Sequence, residues 1–430
     1  MEELLEHKGQ KAIVVGVQKK EATETHDEAE NSLNELILLS KTLGINIKER
    51  FLYRTPRFNT ALLVGRGKVA EIKKSVEHNQ ASLVIFDHSL TALQVKNLEA
   101  EICCKVIDRS LVIIEIFSSH AKTKTAKLQV EIAWLEYSLP RLKGAWTHFQ
   151  RQKGSGLNRG MGETQIEVDR RRARQRISHL KKNLKTVITS RSIQRKSRQK
   201  ELKVTLIGYT NSGKTTLMSS LSTLKTKGKD ELFATLDPKT RILDPSSHPK
   251  ILISDTVGFI RNLPHSLIES FKSTLEETRF SDLLLHVVDL SSSDYRKQLE
   301  TTTKVLEEIK ADSIPSLIVF NKADKVDDAF LPQILRKEFP NSIVVSSFHE
   351  EDIKRLRDYI LAYFKKQFLR VKITLPCQQE HTLAYIHSNC IIVESDYSEQ
   401  DKIKLDIKAS KQVIDKLQKY ITEERPESWS

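Results

Sequence analysis

"LIGYTNSGKTTLM", residues 206–218, sets small and polar residues between two apolar runs and places a lysine among them. Gly208, Gly213, Lys214 and Thr215 fit G-x-x-x-x-G-K-[ST], a loop whose backbone N–H groups close around phosphates. The flanks carry the reading. "KVTLIG" (203–208) has the pattern of a buried strand and "TTLMSSLST" that of a helix, whose positive N-terminus would face the anion. The stretch therefore predicts an α/β domain that cradles a nucleotide with Gly208, Tyr209, Thr210, Asn211, Ser212, Gly213, Lys214, Thr215 and Thr216. Lys214 is expected to reach the β- and γ-phosphates, and the Thr215 hydroxyl to ligate Mg²⁺. The competing reading, a plain Gly/Ser turn, does not account for the strand–loop–helix context.

Downstream, "LIVFNKADK" (317–325) places Asn321, Lys322 and Asp324 as N-K-x-D after an apolar strand. A carboxylate at Asp324 can accept from both N1–H and the exocyclic amine of guanine. Adenine offers neither, and an unpaired buried charge costs on the order of a few kcal/mol, so guanine is expected. "ILISDTVGF" (251–259) ends a strand in Asp255, suited to hold Mg²⁺ through a water, and supplies Gly258, whose N–H can meet a γ-phosphate. Thr235, in "FATLDPKTR", is the expected second hydroxyl ligand of Mg²⁺. Ser346 and Ser347 follow the strand "SIVV" where a guanine-contacting loop belongs. Lys214, Thr235 and Gly258 are the expected catalytic set, acting on GTP. Phe259 stands where many GTPases carry a water-orienting glutamine, so slow intrinsic hydrolysis and acceleration by a partner are expected. Asn211 could hold K⁺ beside the phosphates, or serve only the turn.

Composition limits the rest. A chain of 430 residues is long enough for about three domains. Its formal net charge of +14 points toward a polyanionic partner, and the excess is local. Residues 141–200 hold 18 Lys+Arg against 3 Asp+Glu, an excess of 15. "MEELLEHKGQ" does not resemble a signal peptide, and no apolar run approaches the 18 or so residues that span a bilayer. The four cysteines, Cys103, Cys104, Cys377 and Cys390, lack C-x-x-C spacing and read as reduced core thiols. A cytoplasmic monomer without stable membrane insertion is expected, with peripheral membrane association left open.

Four regions follow from the patterning. Residues 1–121 alternate strands and helices as a small parallel α/β domain. Residues 122–200 read as a basic antiparallel helical hairpin. Its seams are Leu128, Ile132, Leu135 and Leu139, then Ala173, Ile177, Leu180, Leu184 and Val187. Thr164 and Glu167 supply a capping box for the second helix. The turn, "KGAWTHFQRQKGSGLNRGMG" (143–162), mixes aromatics with Lys143, Arg151, Lys153 and Arg159. With Trp146 these are the candidate RNA contacts, against the alternative of a solvated coiled-coil end. Residues 201–369 form the GTPase domain, and 370–430 a small α+β domain with three strands and a helix. In "LVGRGK" (63–68), Gly65 and Gly67 precede a helix, which favours an ordinary helix start over a second phosphate site.

These motifs together resemble the HflX family of ribosome-associated GTPases. The resemblance spans nearly the whole chain. In the nucleotide domain it rests on "GYTNSGKTT", "FATLDPKTR" and "DTVGFIRNLP"; upstream it rests on "LVGRGKVAEI", "VIDRSLVIIEIF", "KLQVEIAWLEYSLPRL" and "RGMGETQIEVDRRR". It implies GTP hydrolysis, binding to the 50S large ribosomal subunit and its rRNA, and splitting of stalled or inactive ribosomes. It also implies an N-terminal domain able to hold a second nucleotide, including ATP. The chain departs from the family pattern at Ser212, where alanine is usual, and at Thr215, where serine is usual. Two alternatives stay open: a GTPase of ribosome assembly or RNA maturation acting on a free subunit, and a non-enzymatic RNA-binding adaptor.

Overall fold

An apolar strand with no alternation needs cover on both faces, and Lys11–Lys19 (β1) is such a strand, buried from Ala12 to Gln18. Around it lie Asn46–Thr55 (β2), Leu83–Phe86 (β3) and Lys105–Asp108 (β4), all parallel, in the order β2-β1-β3-β4. The crossovers are His26–Thr42 (α1), Arg66–Asn79 (α2) and Ala92–Ile102 (α3). Thr25 with Glu28, and Thr91 with Gln94, close capping boxes that fix where α1 and α3 begin. The structure, a computed structural model, describes residues 7–20, 25–141, 159–196, 201–222, 233, 239–244, 249–261, 276–326, 328, 330–399 and 401–425. The chain divides into two compact units.

In the first unit, Arg109–His120 (α4) follows β4 directly. Sequence patterning does not anticipate it, because "SLVIIEIF" is buried nearly all round and so carries no amphipathic period. Asp108 caps it and does more. The buried carboxylate accepts from Leu90 N (3.0 Å), Leu111 N (3.1 Å), the Tyr137 hydroxyl (3.0 Å) and Arg141 Nη2 (3.0 Å). The next residue, Arg109, is equally buried and donates to Asp87, Ser32 and Glu35.

Lys124–Ser138 (α5) and Arg159–Lys196 (α6) meet through Ile132, Leu180 and Leu184, with Leu128 and Leu135 beside them. Ion pairs Arg176–Glu131 (2.7 Å) and Lys181–Glu136 (2.8 Å) run between the two helices. Five of the nine expected seam residues thus meet, but a two-stranded coil understates the packing. α5 also packs on α4, and it buries Ala126, Val130 and Ala133 as well as Ile132. The expected helix start at Thr164 is corrected too: α6 is already helical from Arg159 and runs through the Thr164–Glu167 pair. Lys143, Trp146, Arg151 and Lys153 lie outside the described residues.

The second unit holds two sheets. The first has the order β10-β9-β8-β5-β7-β6, from Leu202–Gly208 (β5), Lys239–Ile242 (β6), Ile251–Asp255 (β7), Leu283–Asp289 (β8), Ser316–Asn321 (β9) and Ser342–Val344 (β10). Only the edge strand β6 is antiparallel to its neighbour. Lys214–Leu221 (α7), Tyr295–Glu308 (α8), Leu331–Glu338 (α9) and Glu350–Lys366 (α10) accompany it. Val204, Leu206, Leu285 and Val287 on one face pack with Leu217, Leu356 and Phe364.

The second sheet is formed by Leu369–Pro376 (β11), Ile391–Glu399 (β12), Lys402–Ala409 (β13) and Ile421–Arg425 (β14), with Glu380–Asn389 (α11) and Lys411–Leu417 (α12). Its antiparallel order, β12-β13-β11-β14, is that of a β-α-β-β-α-β ferredoxin-like unit. Sequence patterning expects three strands and one helix here. α11 and β14 complete the motif, and Val371, Ile373, Leu375, Ile386, Ile414 and Leu417 form its core.

Candidate nucleotide site

The carboxyl ends of β5, β7, β8 and β9 bring the candidate residues together, as expected of an open α/β sheet. Between Gly208 at the end of β5 and Lys214 at the start of α7, Asn211 (φ +58°) and Gly213 (φ +89°) adopt left-handed backbone. Gly213 has no alternative: a Cβ there would lie 2.3 Å from Asn321 Nδ2. Lys214 is 6% exposed, and its Nζ donates to Gly208 O (3.1 Å) and Tyr209 O (2.7 Å). Burial pushes its pKa down to about 8, with Lys322 adding to the fall and Asp255 opposing it. His286 on β8 is also buried, and burial together with Lys214 pushes it down to about 4. It is neutral at neutral pH.

The Mg²⁺ ligands expected from the sequence are partly assembled. Thr215 Oγ1 donates to Asp255 Oδ2 at 2.7 Å, and Asp255 is fully buried at the end of β7. A hydroxyl and a carboxylate converging beside a phosphate loop are hard oxygen donors of the kind Mg²⁺ takes. Thr235 lies outside the described residues. Two positions before it, Phe233 is buried against Phe117 of α4, ring centroids 4.5 Å apart. Among the described residues no cluster of three His, Cys, Asp or Glu side chains could hold a metal.

Gly258 is pressed against the phosphate loop, since a Cβ there would lie 2.8 Å from both Lys214 Nζ and Thr210 Cα. The backbone on either side locks the approach: Thr210 N donates to Phe259 O (2.7 Å) and Phe259 N to Gly208 O (3.1 Å). The Phe259 ring is 5% exposed and packs with Ile207, Leu284, Leu306, Ile309 and Ala311. The residue in the glutamine position thus faces the core rather than the phosphates.

At the base end, Asn321 is 1% exposed and joins two loops. Its Nδ2 donates to Ser212 O (2.9 Å), while its Oδ1 accepts from Ser347 N (3.2 Å) and Ser347 Oγ (2.8 Å). Lys322 (φ +64°) donates to Asp289 Oδ2 at 2.7 Å. Asp324 is exposed, and its Oδ1 accepts from Ser346 Oγ at 2.6 Å. Three supports were not read from the sequence: Asp289, Asp352, which accepts from Ser346 N (2.8 Å), and Ser220, which donates to Ser347 O (2.8 Å). Asp289 had a signal, since it ends the apolar strand β8 just as Asp255 ends β7.

Away from this site, Gly65 is the N-cap of α2 with ordinary backbone and no side-chain cap. All four cysteines are free, but only Cys390 is buried, so core burial holds for one of the four. Among the described residues no helix is long and apolar enough to cross a membrane.

Three family models match the chain. "GTP-binding GTPase N-terminal" covers residues 30–118, "GTP-binding GTPase Middle Region" residues 120–198, and "50S ribosome-binding GTPase" residues 203–322. The GTPase HflX of Alkalihalophilus pseudofirmus is 40% identical over 93% of each chain. That of Escherichia coli K12 is 39% identical over 88% of this chain and 89% of its own. A GTP-binding protein of the archaeon Sulfolobus solfataricus, solved with GDP, is 27% identical over 82% of this chain and 98% of its own, with a TM-score of 0.43.

Proposed function

Because the chain belongs to the HflX family of GTPases and is itself a GTPase, we propose that it binds the large ribosomal subunit and separates stalled or inactive ribosomes into subunits. The observation that carries the ribosomal reading is the charge of residues 141–200, where 18 Lys+Arg stand against 3 Asp+Glu beside the GTPase sheet in the sequence. A local cation excess of that size is the electrostatic footprint of a polyanion, and rRNA is the polyanion that the match to a 50S ribosome-binding GTPase suggests. Arg170, Arg171, Arg172, Arg174 and Arg176 of α6 would meet phosphates, and Lys143, Trp146, Arg151, Lys153 and Arg159, upstream of them in the sequence, would be the other RNA contacts.

In hydrolysis, Lys214 would place its charge on the β- and γ-phosphates and Gly258 N–H would meet the γ-phosphate. Thr215 and Asp255, with Thr235, would hold Mg²⁺, which when bound neutralises charge developing on the phosphate oxygens. Asp324 would read guanine, supported by Ser346, and Asn321 would keep the base and phosphate loops in register. Phe259 offers the attacking water nothing, so ordering of the water falls to a partner, and ribosome docking is the candidate. Asn211 is exposed at the rim of the loop, where its carbonyl would hold K⁺. Equal turnover in K⁺ and Na⁺ buffers, with and without ribosomes, removes that role and leaves Asn211 to its left-handed turn.

Sedimentation of joined ribosomes with the protein and GTP, GDP or a non-hydrolysable GTP analogue tests the splitting. Conversion to free subunits with GTP or the analogue is expected. Binding to free large subunits without any loss of joined ribosomes would favour the assembly reading instead. Peripheral membrane association is tested by flotation with anionic vesicles.

A further inference from the structure

Arg241 ends the stretch "FATLDPKTR", in which only Thr235 has so far been given a role. It stands on β6, the antiparallel edge strand beside β7, and lies opposite Ile253; two positions earlier, Lys239 lies opposite Asp255. Residues two apart on a strand share a face, so Arg241, Ile253 and Asp255 look to the same side of the sheet. α7 packs on that side, since Ile253 shares a core with Leu217, Met218 and Leu221. There Arg241 Nη1 donates to Ser222 Oγ at 3.1 Å. Ser222 is buried and is the residue at which α7 ends. Its hydroxyl is used twice, because it also donates to Ser219 O at 3.4 Å. Arg357 of α10 holds the same end of the helix, its Nη2 donating to Leu221 O at 3.0 Å. Two guanidinium groups at a helix C-terminus suit its dipole, whose positive end is left for the phosphates.

α7 thus meets the β6–β7 ribbon at both ends. Thr215 in its first turn bonds Asp255, and Ser222, roughly 10 Å further along the helix axis, bonds Arg241. We propose that Arg241 is a positioning residue for the metal pair: by tying the far end of α7 to the strand beside Asp255, it fixes how Thr215 and Asp255 approach each other. The proposal rests on the Mg²⁺ reading of those two residues given above. Mg²⁺ demands near-ideal octahedral geometry at about 2.0–2.1 Å, so a two-turn helix left free to tilt loses metal affinity first. The phosphate loop lies ahead of α7 and Asp324 reads the base, so binding of nucleotide without metal should not depend on Arg241. Arg241 therefore acts on the metal through α7 and touches neither.

The test is release of fluorescent GDP from the full chain, chased with unlabelled GDP, across a Mg²⁺ titration and in EDTA. The variants are Arg241→Met, Arg241→Lys, Ser222→Ala and the Arg241→Met/Ser222→Ala pair. Arg241→Met keeps an apolar stem and loses the donors. It should raise the Mg²⁺ concentration that half-maximally slows release by about tenfold, the lower end for one hydrogen bond from a charged donor, with release in EDTA unchanged. Ser222→Ala should act in the same direction, and the pair should exceed Arg241→Met by little, because both changes remove one bond. Arg241→Lys, whose ammonium can still donate, should recover part of the effect. Thr215→Ala is the separate control, expected to raise the Mg²⁺ requirement by removing a ligand. If Thr215→Ala leaves that requirement at the parent's value, the metal reading fails and takes the proposal with it. If Thr215→Ala raises it and Arg241→Met does not, the metal reading stands and the positioning role is overturned. If Arg241→Met speeds release in EDTA as much as in Mg²⁺, the arginine is merely structural and the proposal fails. Additive effects of Arg241→Met and Ser222→Ala would place the action of Arg241 elsewhere and overturn it too.

Discussion

Replacing Asn321 by alanine should destabilise the second unit far more than a single surface contact would. The side chain makes three hydrogen bonds, to Ser212 O, Ser347 N and Ser347 Oγ, from a position 1% exposed. Alanine leaves two backbone groups, the Ser212 carbonyl and the Ser347 N–H, without their partner in loops whose residues are themselves buried. At roughly 1–3 kcal/mol for each of the two orphaned buried groups, the expected loss is about 2–6 kcal/mol. The Ser347 hydroxyl can rotate to another acceptor and adds little. Ser347→Ala, which removes only that hydroxyl, should cost about 0.5–1.5 kcal/mol. Urea unfolding followed by circular dichroism measures both. A second readout is protection by GDP, which at a hundred times the parent Kd stabilises by about 2.7 kcal/mol. If the two loops lose their register and affinity falls tenfold, protection at the same GDP concentration drops to about 1.4 kcal/mol. Equal small losses for the two variants, or an Asn321→Ala protein with the parent's stability, would refute the claim that this side chain braces the loops.

Lys214 gives a pH dependence whose sign follows from its pKa near 8 without nucleotide. Bound phosphates raise that pKa, so GDP affinity should be flat below pH 8 and fall by up to about tenfold per unit above it, with proton uptake on binding that calorimetry in buffers of different ionisation enthalpy detects. Affinity rising with pH would contradict it. Phe259→Gln should not speed basal GTP turnover, because the position faces the core, and Phe259→Ala should cost about 3 kcal/mol of stability by emptying its place among Ile207, Leu284 and Leu306. Faster turnover of the glutamine variant would show that the side chain can reach the phosphates. Replacing Arg151, Lys153 and Arg159 together by alanine should leave basal turnover intact, weaken ribosome binding, and flatten its salt dependence by about 0.7–0.9 of a log–log unit per lost phosphate contact. An unchanged salt slope removes the turn from the RNA contacts.

What the sequence disclosed tracks the range of the interactions involved. The phosphate loop, N-K-x-D and the strand ending in Asp255 were legible because their chemistry demands particular residues at fixed local spacing. Lys214, Thr215, Asp255, Asn321 and Asp324 do meet at the sheet's carboxyl end. The inward turn of Phe259 was not legible, since it depends on a pocket assembled from β5, β8 and the segment from α8 onward. α4 escaped because burial nearly all round erases the helical period. β14 escaped because "ITEER" is a polar edge strand that owes its place to pairing with β11 rather than to its own apolar content. The start of α6 shows the limit of local signals. A capping box at Thr164 is a sound N-terminal motif, yet helix already precedes it from Arg159.

Asp108 bears on how this molecule can be taken apart. A cut at residue 121 falls between two regions that sequence patterning treats as separate modules, but it would remove Tyr137 and Arg141 and leave the buried carboxylate with only the Leu90 and Leu111 amides. It would also bare the side of α4 on which α5 packs. The smallest autonomous N-terminal fragment therefore ends beyond Arg141, and expression of 1–121 alone should yield an insoluble or protease-sensitive product. The modules of this chain exchange as a pair.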